Sequence, residues 1–469
     1  MAFFNGNTYD GGKYALERST AVVNLPDTQF WQGVDSFPLH AYNQPVPTGA
    51  QGTSDYTFIT SWLGRGAFDQ IGGEGHSWGV DYRLQIGGGR IWYCYLGANP
   101  FRGVASRNLA GGDLREYPST DFFTADQNCV IHWADNFLLV GMEGDSTNGA
   151  NMGKVVAINV NGDVLWEVTS ADDPTTPVAE ERFGTSVYAG CGRVVVASFQ
   201  YIASGSSDRD GKFWIFDYSG NFIASVTGTE LDNTSFSNLY LATAVAIGSN
   251  RIAVLGQWSD VSGGNHKIYI FDLSGNLLNV IQQSPPNNNF FGGEMEINNG
   301  VLYVTAWWHD TLGTNNGMLY MYTLDGTLIA EMTTANPSGR LRTSSSDMRG
   351  LQILDGRCWI GYDEYASGGG EAGEIHFLAD DGYGRGNTFG NEGNTYKGYY
   401  GKIDFGASPT KFFGENVVAS EGYFATAGYG QNLNGNLSGQ INLYSYSNYA
   451  RNMSDVILDR GRHIRSLGI

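Results

Sequence analysis

The sequence predicts an all-β protein, a seven-bladed β-propeller of four-stranded blades. Three observations predict it. The 469-residue chain holds 66 Gly against 12 Pro, and 13% of it is aromatic. That is the balance of aromatic, β-branched strands joined by glycine turns. No sustained 3.6-residue apolar period of helical length runs through its body. A unit of two hairpins recurs along the chain, as in repeat architectures.

The first hairpin of the unit is a short strand, a polar turn and a second apolar strand. Its clearest copies begin at Val187, Val245, Met295 and Leu351, with weaker ones at Leu84, Val130 and Val417. The second hairpin is built on a Gly turn. Asp217-Tyr218-Ser219-Gly220-Asn221 and Asp272-Leu273-Ser274-Gly275-Asn276 are two such turns. Asn161-Gly162 and Asp325-Gly326 supply the same positive φ to tight hairpins. Second strands open at Arg90, Phe137, Arg193, Arg251, Val301, Arg357 and Tyr423. Their spacing, roughly 45 to 65 residues, fits a blade plus a surface loop.

The last unit has no fourth strand after Tyr446. An N-terminal run, residues 19–25, is expected to fill that place and close the ring without free edges. The chain therefore divides into residues 1–80, an N-terminal segment with the ring-closing strand and loops; 81–448, the propeller; and 449–469, a basic C-terminal arm. Residues 26–80 read as loop-rich, with Trp31, Trp62 and Trp78. Residues 383–411 read as a long Gly/Tyr/Asn insertion.

The net charge is −20. An acidic surface repels phosphate backbones and anionic membranes, which excludes nucleic acid as an expected partner. No run approaches the length of a membrane span, and no basic segment followed by an apolar run opens the chain, so neither insertion nor a secretory leader is expected. Cys94, Cys129, Cys191 and Cys358 are far apart and read as buried free thiols, which suits a reducing cytoplasm.

The units resemble FG-GAP propeller repeats. Phe183-Gly184, Phe291-Gly292 and Phe413-Gly414 match the opening of that repeat; Tyr269-Ile270-Phe271-Asp272 and Trp214-Ile215-Phe216-Asp217 match its later strand. The resemblance covers residues 130–447. Two features of the family are missing: the Gly-Ala-Pro after the second strand, and the calcium loop, whose nearest match is Asp208-Arg209-Asp210-Gly211 with an Arg among the ligand positions. The particular flavour resembles virion structural proteins of marine cyanobacterial phages. That resemblance implies a particle component assembled in the host cytoplasm, in the tail, its fibres or the capsid surface. Its implied partners are other virion structural proteins, with a symmetric ring of copies and a host-surface glycan or protein as further contacts.

No catalytic constellation emerges. The seven His form no i, i+4 pair and no His-Cys cluster, so no metal and no cofactor is expected. The acidic pairs Asp363-Glu364, Asp380-Asp381 and Glu294/Glu296 would suit glycosidase chemistry only at a suitable separation, and strand neighbours point to opposite faces. Candidate ligand or partner contacts are Trp307, Trp308, His309, Tyr362, Tyr365 and Tyr429, aromatic-rich positions after second strands where rings could stack on sugars. Arg451, Arg460, Arg462 and Arg465 give the arm a sign opposite to the body, fitting it to dock on a neighbouring acidic subunit. The expectation is a non-enzymatic phage scaffold with a role in host attachment. A capsid decoration protein, a lectin-like propeller and a propeller glycosidase or lyase are the alternatives.

Overall fold

The computed structural model describes residues 4–10, 13–16, 56–63, 70–71, 84–96, 102–118, 129–146, 152–174, 182–198, 210–231, 239–258, 266–282, 291–306, 318–333, 348–354, 357–366, 371–379, 391–392, 395–396, 399–404, 416–420, 422–428 and 440–446. The chain forms two compact units, residues 1–42 with 447–469, and residues 43–446. The described part of the first is one hairpin, β1 (Phe4–Asp10) with β2 (Lys13–Leu16).

The second unit is a β-propeller. It opens with β3 (Tyr56–Leu63). A five-stranded sheet follows, made of β4 (Gln70–Ile71), β5 (Leu84–Gly87), β6 (Arg90–Leu96), β7 (Arg102–Asn108) and β8 (Arg115–Pro118). Blade 1 is β9 (Val130–Ala134), β10 (Phe137–Met142), β11 (Lys154–Ile158) and β12 (Val164–Val168). Blade 2 is β13 (Ser186–Gly190), β14 (Arg193–Ser198), β15 (Lys212–Asp217) and β16 (Phe222–Thr227). Blade 3 is β17 (Leu239–Gly248), β18 (Arg251–Trp258), β19 (Lys267–Phe271) and β20 (Leu277–Gln282). Blade 4 is β21 (Phe291–Asn298), β22 (Val301–Ala306), β23 (Met318–Thr323) and β24 (Leu328–Thr333). Blade 5 begins with β25 (Met348–Leu354), β26 (Arg357–Ala366) and β27 (Glu371–Ala379). A small hairpin of β28 (Asn391–Glu392) and β29 (Thr395–Tyr396) comes next, and β30 (Tyr399–Asp404) completes the blade. Blade 6 is β31 (Asn416–Ser420), β32 (Tyr423–Gly428) and β33 (Gln440–Tyr446), with β3 on its outer side.

The core lies between the sheets. β14 shows how a period of two divides its side chains: Val194 and Val196 pack with blade 1, Val195 and Ala197 with blade 3. β15 does the same, with Trp214 and Phe216 on one side and Phe213 and Ile215 on the other. A strand buried on both faces reads as a continuous apolar run, which is why β10, β14 and β22 lack alternation. Two of the Phe-Gly openings have a packing role; Phe413-Gly414 lies outside the described residues. Phe183 meets Trp214 and Phe216 edge-on at 4.9 and 6.1 Å, and Phe291 meets Tyr320 and Tyr322 at 5.5 and 6.0 Å. Each of these two Phe packs against the third strand of its own blade and inside the cluster shared with the preceding one.

The number of blades corrects the expectation. The structure has six four-stranded blades, not seven. The hairpin around Arg90 belongs instead to the five-stranded sheet, where β6 is flanked on one side by two short strands: β5 pairs with residues 90–93 and β4 with Leu96 and Tyr95. Its last strand, β8, ends at Pro118, which has no N–H to extend a ladder. This sheet shares clusters with blade 6 and with blade 1. Counting second strands counts hairpins, and here one hairpin does not make a four-stranded blade.

Three boundaries shift as well. The strand that completes the blade of β31–β33 is β3, running from Tyr56↔Tyr446 to Leu63↔Gln440, not residues 19–25, which lie outside the described residues. Trp62 is therefore in a strand rather than a loop. The stretch read as an insertion supplies β30, the fourth strand of blade 5, paired Glu374↔Asp404 through Leu378↔Tyr399.

Candidate functional site

The two ends of the blades differ. At one end lie the turns between first and second strands and between third and fourth. Three of the turns between third and fourth strands satisfy themselves. Asp217 accepts hydrogen bonds from the N–H groups of Ser219 (2.8 Å) and Asn221 (2.9 Å) and from the Asn221 side chain (2.8 Å). Asp272 repeats this with Ser274 and Asn276. Asn159 and Asp163 make the same turn with the two side chains exchanged. The donated hydrogen bonds, the Asn side chain first, hold the Asp217 and Asp272 carboxyls below their ordinary range.

The glycine in each turn has a second duty. Gly162, Gly220, Gly275 and Gly326 all have φ between +82° and +90°. Each also touches the outer strand of the sheet before it. A Cβ on Gly162 would lie 2.2 Å from the Tyr117 ring, and one on Gly220 would lie 3.1 Å from Trp166. On Gly275 and Gly326 it would meet Ala224 and Asn279. Trp166 adds a hydrogen bond from its indole N–H to the Tyr218 carbonyl, 2.9 Å away.

The other end carries the connections from second to third strand and from fourth strand to the next blade. Here the fold buries charge. Lys212 Nζ lies 2.9 Å from Asp173 Oδ2, and both side chains are buried. The Trp214 indole N–H donates to the same oxygen at 2.9 Å, and the ammonium sits over the Trp214 ring at 4.8 Å. Asp173 follows the last strand of blade 1; Lys212 and Trp214 belong to blade 2. The pair ties the connection to the next blade. Buried Glu143 lies 3.9 Å from Arg182, across the same two blades. In blade 4, the Thr305 hydroxyl oxygen accepts the Glu294 N–H at 2.7 Å.

Two described histidines bridge blades. His132 Nε2 lies 3.2 Å from the Ala189 carbonyl, with its ring against Tyr188. His266 Nδ1 lies 3.1 Å from the Phe291 carbonyl. Burial lowers both to about 4, so both are neutral at neutral pH. Each ring is engaged by a backbone carbonyl and serves to join sheets.

Of the residues singled out from sequence, Tyr362 and Tyr365 lie on β26, opposite Glu374 and Ala372 on β27, flanking an irregularity in the ladder. Trp307, Trp308, His309 and Tyr429 lie outside the described residues, as do Arg451, Arg460, Arg462 and Arg465. β22 ends at Ala306, directly before Trp307, and β32 ends at Gly428, directly before Tyr429; both are loop-end exits of second strands, as is the end of β26. The Asp173–Lys212–Trp214 group was missed, because its partners lie 39 to 41 positions apart in the chain and nothing local marks them.

Among the described residues no group of three or more His, Cys, Asp or Glu could hold a metal ion. Cys94, Cys129 and Cys358 are buried cysteines outside any disulfide. Cys191 corrects the expectation: it is exposed, in the β13–β14 turn at φ +51°.

No protein-family model matches the chain and no curated protein matches it, so the FG-GAP resemblance rests on the quoted motifs alone. The chain is similar to the β-propeller domain of the Trilobed protease from Pyrococcus furiosus, at 10% identity over 80% of this chain and 96% of that one, with a TM-score of 0.48. It is also similar to the endosialidase of phage phi92, at 8% identity over 83% of this chain and 69% of that one, TM-score 0.43. A third likeness is to the subtype N10 neuraminidase-like protein of A/little yellow-shouldered bat/Guatemala/060/2010, at 13% identity over 66% of this chain and 90% of that one, TM-score 0.39. These likenesses concern the fold alone.

Proposed function

We propose that the chain is a non-enzymatic scaffold of a phage particle, in the tail or its fibres, with the propeller as a rigid docking body. The observation that carries this reading is the use of polar groups in the blades. The carboxylates of the turns bind their own backbone, the buried ion pair ties one blade to the next, and His132 and His266 join sheets. Such groups stiffen a platform rather than turn over a substrate. The resemblance to phage virion proteins supplies the setting. In this reading the long loops face partners or the host surface, and Arg451, Arg460, Arg462 and Arg465 dock the arm on an acidic neighbour. A symmetric ring of copies is the arrangement such a position imposes.

A carbohydrate-binding propeller is the second reading. Its support is that β22 and β32, which end one residue before Trp307 and Tyr429 in the sequence, end on the same side as the Tyr362–Tyr365 segment of β26. Antibody labelling of intact particles under the electron microscope separates the two. Label at one fixed site, tail or capsid vertex, is the expected result. Unlabelled intact and opened particles, with specific binding on a glycan array, would replace the scaffold by the lectin.

A further inference from the structure

The outer strands of the blades are sheet edges, and three of those described, β3, β16 and β20, carry neither charge nor proline. β12 carries Glu167, exposed and 3.6 Å from Lys154. β24 carries exposed Glu331. β8 contains Arg115, Glu116 and Pro118. β16 is also uncharged, but none of its residues is exposed. β20 reads Leu277-Leu278-Asn279-Val280-Ile281-Gln282, with no charge and no proline. Leu277, Leu278 and Val280 are 44, 49 and 41% exposed, more large apolar side chains in solvent than on any other described strand. Among the described residues β20 pairs with β19 alone.

Such an edge is a template for another strand, and proteins ordinarily blunt it with charge, proline or cover. The irregularity at the start of β20 blunts its first residues; residues 279–282 keep a regular register.

We infer that β20 is a self-pairing edge, to which a second copy of this chain adds its own β20, antiparallel about a two-fold axis. The choice of a second copy follows from charge. Two-fold pairing of β12 or β24 would bring Glu167 or Glu331 of both copies onto one short ladder, where like charges repel. β20 places no charge there in any register. The two-fold also sets the exposed Leu and Val side chains of each copy against their own kind, as an isologous contact requires. The bodies, at −20 each, repel one another. The dimer is therefore weak at low salt and strengthens as salt screens that repulsion. The inference goes beyond the scaffold reading and stands or falls independently of it.

Sedimentation equilibrium of the full chain tests it, at low salt and at roughly 0.5 M salt, a level that screens charge beyond a few ångströms. The expected result is a reversible monomer–dimer equilibrium that tightens with salt. Val280→Lys and Leu278→Lys should each raise its dissociation constant at least about tenfold, by putting like charge on the shared edge. Leu165→Lys on β12 should leave it within about twofold. Amide exchange of the unaltered chain gives a second reading that needs no variant. Slower exchange in residues 277–282 at high concentration, with 164–168 unchanged, supports the pairing. A chain that stays monomeric at every concentration and salt, or a dimer that β12 and β20 variants weaken equally, overturns it.

Discussion

At the residue scale, the same residue type does different work according to what stands beside it. Gly162 and Gly192 both have strongly positive φ, +90° and +74°. Nothing lies within 4 Å of a Cβ on Gly192, whereas one on Gly162 would meet the Tyr117 ring. Gly192→Ala should cost the left-handed backbone penalty alone, roughly 1–2 kcal/mol. Gly162→Ala should cost clearly more, because Tyr117 must move; urea unfolding of the two variants measures the difference. The histidines give a pH signature. His132 and His266 titrate near 4 in the fold and near 6.5 when unfolded, because burial penalises their charged form. The unfolded chain then binds more protons between those values, so stability is full above about pH 6.5 and falls as pH drops towards 4. The Asp217 and Asp272 carboxyls, held below 3.8, add a further loss only at lower pH still. Thermal unfolding followed from pH 8 to pH 4 should show the first decline, and replacing both histidines by Gln should flatten it. The Phe-Gly motif was legible at this scale as a signature. Its reason, a Phe wedged against Trp214 or Tyr320, was not, because those rings arrive from other strands.

At the element scale, connections between blades matter as much as strands. The Asp173–Lys212 pair is buried on both sides, so removing one partner strands a charge away from water. Lys212→Met should destabilise the chain by about 3–5 kcal/mol, the usual cost of breaking a buried pair. Adding Asp173→Leu should recover part of that loss, since no charge is then left unpaired. Phe183→Ala should cost a similar 3–5 kcal/mol or so, by opening a cavity between blades 1 and 2. Denaturant unfolding of the three variants reads all of these outcomes. Strand pairs within a blade were legible from sequence because hairpin turns are local: Ser219-Gly220-Asn221 declares its turn without reference to any other blade. The fourth strand of blade 5 was not. The small β28–β29 hairpin intervenes between it and β27, and strand–turn–strand spacing no longer points to Tyr399–Asp404.

At the scale of the whole molecule, closure depends on a strand far away in the chain. β3 pairs along β33 from Tyr56↔Tyr446 to Leu63↔Gln440, joining the start of the second unit to its end. Deleting residues 1–63 should expose the β33 edge, lower the unfolding temperature and promote aggregation, which scanning calorimetry and light scattering would register. The all-β class, the repeat and the hairpin turns were determined by the sequence itself. Their signals, period-two burial, glycine at positive φ and Asp or Asn beside it, act over a few residues. The number of four-stranded blades, the identity of the closing strand and the buried Asp173–Lys212 pair were decided only by tertiary structure. Each depends on which segments meet across tens or hundreds of residues, and no local pattern around Arg90, Ser19 or Lys212 encodes that partner. The exposure of Cys191 belongs with them: the Gly-Cys-Gly turn is visible in the sequence, but whether another sheet covers it is settled by the packing of blades.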